Sequence, residues 1–155
     1  MRQKLPYDER PDLQKVKAQW HKLTGLHSRE EWSEAVVRAA TAAEIAANFA
    51  IRREFEKAST FSPEFVDGLL RWANGLFGKL DHLLLPLIGS SLGEEQCKSL
   101  RKLAKTVNDD RNKIVHRGEF RGGAESRATI EAAREFIETL VRRYKSRYRL
   151  KEKKA

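Results

Sequence analysis

Eight alanines fall between positions 35 and 50: Ala35, Ala39, Ala40, Ala42, Ala43, Ala46, Ala47 and Ala50. Alanine is the strongest helix former, and its side chain is a single methyl. The stretch reads as a helix that other helices can approach closely, which commits the chain to helix-on-helix packing. The remaining sequence agrees. Its β-branched residues never alternate with polar ones over a strand length, so no strand is expected. There is no internal repeat. The expected fold is all-α, a single up-and-down bundle of about five helices whose antiparallel neighbours are joined by short loops.

Proline, glycine and serine set the boundaries. Residues 1–11 read as an irregular N-terminal arm. A first helix covers roughly 12–24 and stops at Gly25 in a C′ position. Ser28 and Glu31 have the spacing of a capping box, with Ser28 as N-cap of a second helix reaching about Ala58. Ser62-Pro63 starts a third with Pro at N1, and Pro86 and Gly89 end it near Leu85. A fourth runs from Glu94 to about His116, and a fifth from Ala124 to about Leu150. The helical domain thus covers 12–150, and 151–155 form a basic tail.

Helical periodicity supplies a core. Leu100, Leu103, Ala104, Val107, Ile114 and Val115 share one side of the fourth helix. Phe136, Ile137, Leu140, Val141 and Tyr144 mark the inner face of the fifth. The third is apolar over the widest arc, from Leu69, Leu70 and Trp72 through Leu76, Phe77 and Leu80 to Leu83 and Leu84, and is expected at the centre.

Hydrophobic residues make up 40% and charged residues 34%, the balance of a soluble globular domain rather than a disordered chain. The net charge of +9 favours polyanionic partners such as RNA, DNA or anionic lipid, although excess Lys and Arg also simply aid solubility. One cysteine, Cys97, excludes an intramolecular disulfide and a Cys-based metal centre and fits a reducing cytoplasm. The start, Met1 to Trp20, is charged throughout and does not read as a signal peptide. The longest apolar run, Ala35 to Ile51, is interrupted by Arg38, Glu44 and Asn48 and is too short and polar to span a bilayer. A cytoplasmic protein without a membrane partner is expected.

Chemistry concentrates in Asp109-Asp110-Arg111-Asn112-Lys113-Ile114-Val115-His116-Arg117-Gly118, at the end of the fourth helix. Arginine binds phosphate through a planar fork of donors. Histidine takes or gives a proton near neutral pH. Together they suffice, in principle, for metal-free cleavage of RNA. On a helix His116 and Asn112 lie about 40° apart, and Asp109 and Lys105 continue that face opposite the apolar seam. Arg111 lies roughly 140° from His116, so the length of the Arg side chain or unwinding near Val115 must close the gap. A plainer reading pairs Arg111 with Asp109 or Asp110 on a helix surface, with His116 and Gly118 ending the helix.

The spacing Arg111-x4-His116, with Asn112 directly after the Arg, precedes a Gly-containing loop and one long final helix. It resembles the HEPN superfamily, helical-bundle ribonucleases of toxin–antitoxin and antiviral defence systems. The resemblance implies a metal-independent endoribonuclease that needs no cofactor. Its composite site would lie at a homodimer interface, where two Arg111 and two His116 converge. His116 would act as general base on a ribose 2′-OH or as acid to the leaving 5′-oxygen. Arg111 would hold the scissile phosphate, and Asn112 would position Arg111, His116 or the phosphate. The products would be a 2′,3′-cyclic phosphate and a 5′-OH. No metal constellation appears, since His21, His27 and His82 lack ligand-spaced partners. RNA is the implied substrate, a second copy the implied partner, and an antitoxin or other regulatory protein a further one. Some HEPN toxins carry a Tyr two residues after the His, which a partner nucleotidyltransferase modifies; here that position is Gly118.

Several supporting residues follow. Glu44 stands in the apolar stretch and needs a partner. It could orient Arg111, as a polar residue on an earlier helix does in HEPN proteins, or form a structural ion pair with Arg52 or Arg53. Asp109 supports the motif face. Lys105, Arg117 and Arg121, with the loop from Gly118 to Gly123, are candidates for contact with the RNA backbone. The basic run from Arg142 onward complements a helix C-terminus as readily as it binds RNA. Trp20, Trp32 and Trp72 read as core or interface. Two other functions stay open: a non-catalytic HEPN-like module binding RNA, nucleotide or protein, and a structural helical adaptor using the Ala-rich helix and the basic tail.

Overall fold

The computed structural model describes residues 3–58, 61–73 and 75–151. Among them every regular element is helical. A 3-10 turn (Tyr7–Glu9) precedes α1 (Asp12–Ser28) and α2 (Trp32–Ala58), which form a hairpin. Next come α3 (Pro63–Trp72), α4 (Leu76–Gly78), a π-helical stretch (Lys79–Leu84) and α5 (Leu85–Leu92). The fold closes with α6 (Glu94–Arg117), where its apolar pattern predicts it, and α7 (Gly123–Val141). No helix of the described residues is long and apolar enough to cross a membrane.

The centre of the fold is α2. It packs against α1, α6, α7 and the π-helical stretch. The eight alanines from Ala35 to Ala50 are all buried. Methyl side chains keep the interaxial distance short, and the neighbours supply the bulk, with Trp20, Leu23, Leu100, Phe136, Ile137 and Leu140 almost wholly enclosed. The central place expected for the third helix therefore falls to the second.

That third helix is broken once. Ala73 leaves the helix with ψ 94, and Gly75 takes φ +92, a left-handed conformation that glycine reaches without a Cβ penalty. The helix resumes at Leu76 and widens into π turns ahead of Pro86. Proline has no N–H to donate and clashes with the carbonyl four residues back, and wider turns relieve both. Pro86 thus sits in the first turn of α5 instead of ending a helix, and the run stops at Gly93, φ +86. Splitting the helix also takes its apolar arc apart: Trp72 is 81% exposed.

Two other boundaries move. Ser28 does not cap α2; it ends α1, and its hydroxyl donates to the Gly25 carbonyl at 2.8 Å. Glu31 pairs with Arg29. The α1 terminus is a Schellman turn, with Glu31 N–H on Leu26 O at 2.9 Å, Glu30 N–H on His27 O at 3.1 Å, and Glu30 in the left-handed region at φ 64. At the other end α7 stops at Val141, not near Leu150. Arg142, Arg143, Lys145, Arg147 and Arg149 would repel at i,i+3 and i,i+4 spacing on one helix. The chain turns back instead. Arg142 Nε donates to Tyr148 O at 2.9 Å, Arg134 Nη1 donates to Leu150 O at 3.1 Å, and Leu150 is buried. Burial, and then the Glu138 charge, push the Tyr148 hydroxyl up to about 12.

Candidate functional site

Cys97, Leu100, Ala104 and Val107 form the buried seam of α6. The next position on that stripe, four residues on, is Arg111. An arginine in a core register needs a partner or an opening. Here there is an opening. The helix α2, the segment 75–78 and α6 enclose a cleft of about 530 Å³, whose lining includes Thr41, Glu44, Gly75, Phe77, Asn108, Arg111 and Asn112.

Arg111 is half-buried, and its Nη1 donates to Asn112 Oδ1 at a long 3.4 Å. Among the described residues no carboxylate forms an ion pair with it. Both preceding aspartates are engaged elsewhere. Asp109 accepts from Lys105 Nζ at 2.9 Å on the outer face of α6. Asp110 accepts from Arg121 Nη2 at 3.3 Å and from the Thr129 hydroxyl. The surface pairing of Arg111 with either aspartate does not form.

Glu44 faces the same cleft from α2. Its Oε1 accepts from Lys79 Nζ at 2.8 Å and from the Gly75 N–H at 3.3 Å. The expected pairing with Arg52 or Arg53 does not occur: Arg52 bridges Asp12 and Asp67, and Arg53 lies over the Phe49 ring. Lys79 is 4% exposed, a buried ammonium that Glu44 neutralises. Its position opposite Glu44 is not legible from a 3.6-residue period, because the break at Ala73 and Gly75 resets the phase of the helix carrying it. Asn108 is legible, being three residues before Arg111 and four before Asn112.

His116 stands on the last turn of α6, exposed, and does not line the cleft. The helix end is widened: the Lys113 carbonyl accepts both the Gly118 N–H and the Glu119 N–H, with Gly118 left-handed at φ 64. The widened turn runs from Lys113 to Gly118 and so includes His116, which stays exposed. Arg111 therefore turns toward the cleft while His116 turns to solvent, and a single subunit does not bring the two together. Arg117 is exposed next to His116.

Arg121, a candidate for contact with RNA, is engaged inside the protein. Its side chain is only 15% exposed and meets three carboxylates, Asp110, Glu125 and Glu119. Its backbone N–H donates to Ser33 Oγ at 2.9 Å. Its guanidinium ties the loop to α6 and α7 and is not presented to an RNA backbone. Trp20 is core, and the Trp32 ring lies 3.1 Å from where a Cβ on Gly123 would stand, so α7 begins on a glycine that lets the ring in. Val115, which the apolar stripe places on the inner side of the helix, and Phe120, in the loop from Gly118 to Gly123, are exposed on either side of His116. No group of three or more His, Cys, Asp and Glu among the described residues is placed to hold a metal ion. Comparison with protein-family models, curated proteins and solved structures finds no match to the chain.

Proposed function

We propose that this chain is a metal-independent endoribonuclease of the HEPN type, a toxin or defence effector in which a HEPN-like up-and-down bundle dimerises through the end of α6. The observation that carries the reading is Arg111: a half-buried arginine in a core register, without a carboxylate partner among the described residues, facing a polar cleft. Such a group is ready for an external anion. Arg111 binds the scissile phosphate and stabilises charge on its non-bridging oxygens. Asn112 and Asn108 offer amide donors and acceptors beside it. One His116 takes the 2′-OH proton as the 2′-oxygen attacks phosphorus, and a protonated His116 from the second subunit gives a proton to the 5′-oxygen as the P–O5′ bond breaks. The separation of Arg111 from His116 within one chain is what makes a second copy necessary. Lys105 and Arg117 carry phosphates outside the cleft, while Asp109 holds Lys105 in place.

Labelled RNA incubated with purified protein in EDTA tests this. The wild type is expected to yield 2′,3′-cyclic phosphate and 5′-OH ends and to spare DNA. His116→Ala is expected to be slower by roughly 10²- to 10⁴-fold. Equal rates, or products with 3′-OH ends, overturn the mechanism. The position of His116 outside the cleft favours one second reading, a non-catalytic module that uses Arg111 to hold RNA or nucleotide. Binding without cleavage by the wild type is its signature.

A further inference from the structure

Phe120 is 91% exposed, the most exposed large apolar side chain among the described residues. An exposed Phe forgoes about 2 kcal/mol available from burial. A wandering loop would explain that, but this loop is held on both sides of Phe120. Glu119 N–H donates to the Lys113 carbonyl at 3.1 Å, and Arg121 N–H donates to Ser33 Oγ at 2.9 Å. The Arg121 guanidinium adds its three carboxylates. The anchors fix the backbone on either side and leave the ring between them pointing at water.

The last turns of α6 ahead of the ring are cationic. Lys113, His116 and Arg117 precede it on the last turns of α6, none in an ion pair among the described residues. Arg117 is three residues away, so the two Cα atoms are at most about 11 Å apart. The one carboxylate between them, Glu119, lies 3.8 Å from Arg121 Nη2. A rigidly held aromatic face with cations on its α6 side suits a base that stacks and a backbone that is neutralised beside it. A phosphate would not suit the ring, and the carbonyl end of α6 disfavours an anion directly on the helix axis.

We infer that Phe120 is a stacking platform for an unpaired nucleobase, with Arg117 and Lys113 holding the adjoining backbone. The choice of RNA as ligand rests on the ribonuclease reading; the platform itself rests on the geometry of the loop. The test is fluorescence anisotropy of a labelled oligoadenylate with the full chain carrying His116→Ala, so that binding is read without cleavage. Adding Phe120→Ala is expected to weaken binding about 5- to 100-fold. Phe120→Trp should restore it and Phe120→Leu should not, since a flat ring is what is needed. Melting should be unchanged, because the ring supports nothing. An oligomer of abasic ribose phosphates should bind equally well with or without the Phe120→Ala substitution.

Oligoadenylate affinity that is unchanged by Phe120→Ala overturns the inference, as does full rescue by Phe120→Leu or absence of RNA binding in the His116→Ala protein. Loss of affinity that follows only a loss of dimer in sedimentation also overturns it, and assigns the ring to the partner subunit. Ring-dependent binding in a protein whose wild type never cleaves leaves the platform standing and removes the ribonuclease. Cleavage with binding indifferent to Phe120 does the reverse.

Discussion

Arg111 and Arg121 lie ten positions apart, both largely withdrawn from solvent, and their surroundings are opposite. Arg121 meets Asp110, Glu119 and Glu125 and ties a loop to two helices. Among the described residues Arg111 has one long hydrogen bond to an amide, and it faces a cleft. Burying a guanidinium without a counter-charge is unfavourable, and a fold that needed Arg111 only for packing would gain by an apolar residue at that seam position. Sequence proximity to acidic residues does not separate the two cases. Asp110 directly precedes Arg111, yet it serves Arg121, because its side chain projects toward α7 and Thr129. A neutralised arginine serves structure, and the one without a counter-charge among the described residues is the place where the proposed function puts its ligand.

The sharpest break of this comparison is functional. Arg111→Ala removes no ion pair seen among the described residues, so its thermal midpoint should stay within about 2 °C of wild type by calorimetry. RNA cleavage should fall by roughly 10²- to 10³-fold, as when a charge-stabilising donor is lost. Arg111→Lys keeps the charge without the fork and should recover only part of the rate. A variant that melts far lower would make Arg111 structural like its counterpart.

The converse substitution should act on stability. Arg121→Ala leaves Asp110, about a fifth exposed, without its cation. Breaking a buried pair costs about 3–5 kcal/mol, and partial exposure reduces this to about 2–3 kcal/mol. Urea unfolding gives the number. A cycle with Asp110→Asn should show coupling above about 1 kcal/mol, since the two share one network. Additive effects would mean that Arg121 acts through its backbone bond to Ser33 and not through its charge.

How far the sequence carries these contrasts differs from element to element. The helix α6 is legible nearly to the residue, because its apolar stripe, its flanking glycines and its acidic first turn all agree. The inward register of Arg111 and the outward register of His116 follow from the same stripe. The central role of α2 is visible in its alanines only if smallness is weighed above hydrophobic area. The broken third helix is not visible in the same way. Gly75 reads as a tolerated residue and Pro86 as a stop, and only the packed result shows the first breaking the helix and the second following π turns within it. The Lys79–Glu44 pair depends on the break at Gly75, whose N–H also donates to Glu44, and is hidden with it. Phe120 lies in a short loop with no period at all, so its exposure depends on anchors at Ser33, remote in sequence.

The smallest expected change in stability is the most direct probe of the comparison. Asn112→Asp places a carboxylate where the amide oxygen now accepts from Arg111 at 3.4 Å. Arg111 would then resemble Arg121, with its charge engaged inside the protein. A partly exposed pair is worth about 0.2–1 kcal/mol, and an acid near the carbonyl end of α6 opposes this by about 0.3–1 kcal/mol. The net shift in urea unfolding should be under about 0.5 kcal/mol in either direction. Cleavage should nevertheless drop about tenfold or more, because phosphate must now compete with an internal carboxylate for the same fork. Asn112→Ala provides the control: it removes the weak hydrogen bond without supplying a charge, and should retain more activity than Asn112→Asp. If the Asp variant cleaves at the wild-type rate, an unneutralised Arg111 is not what the cleft requires, and the distinction between the two arginines loses its functional meaning.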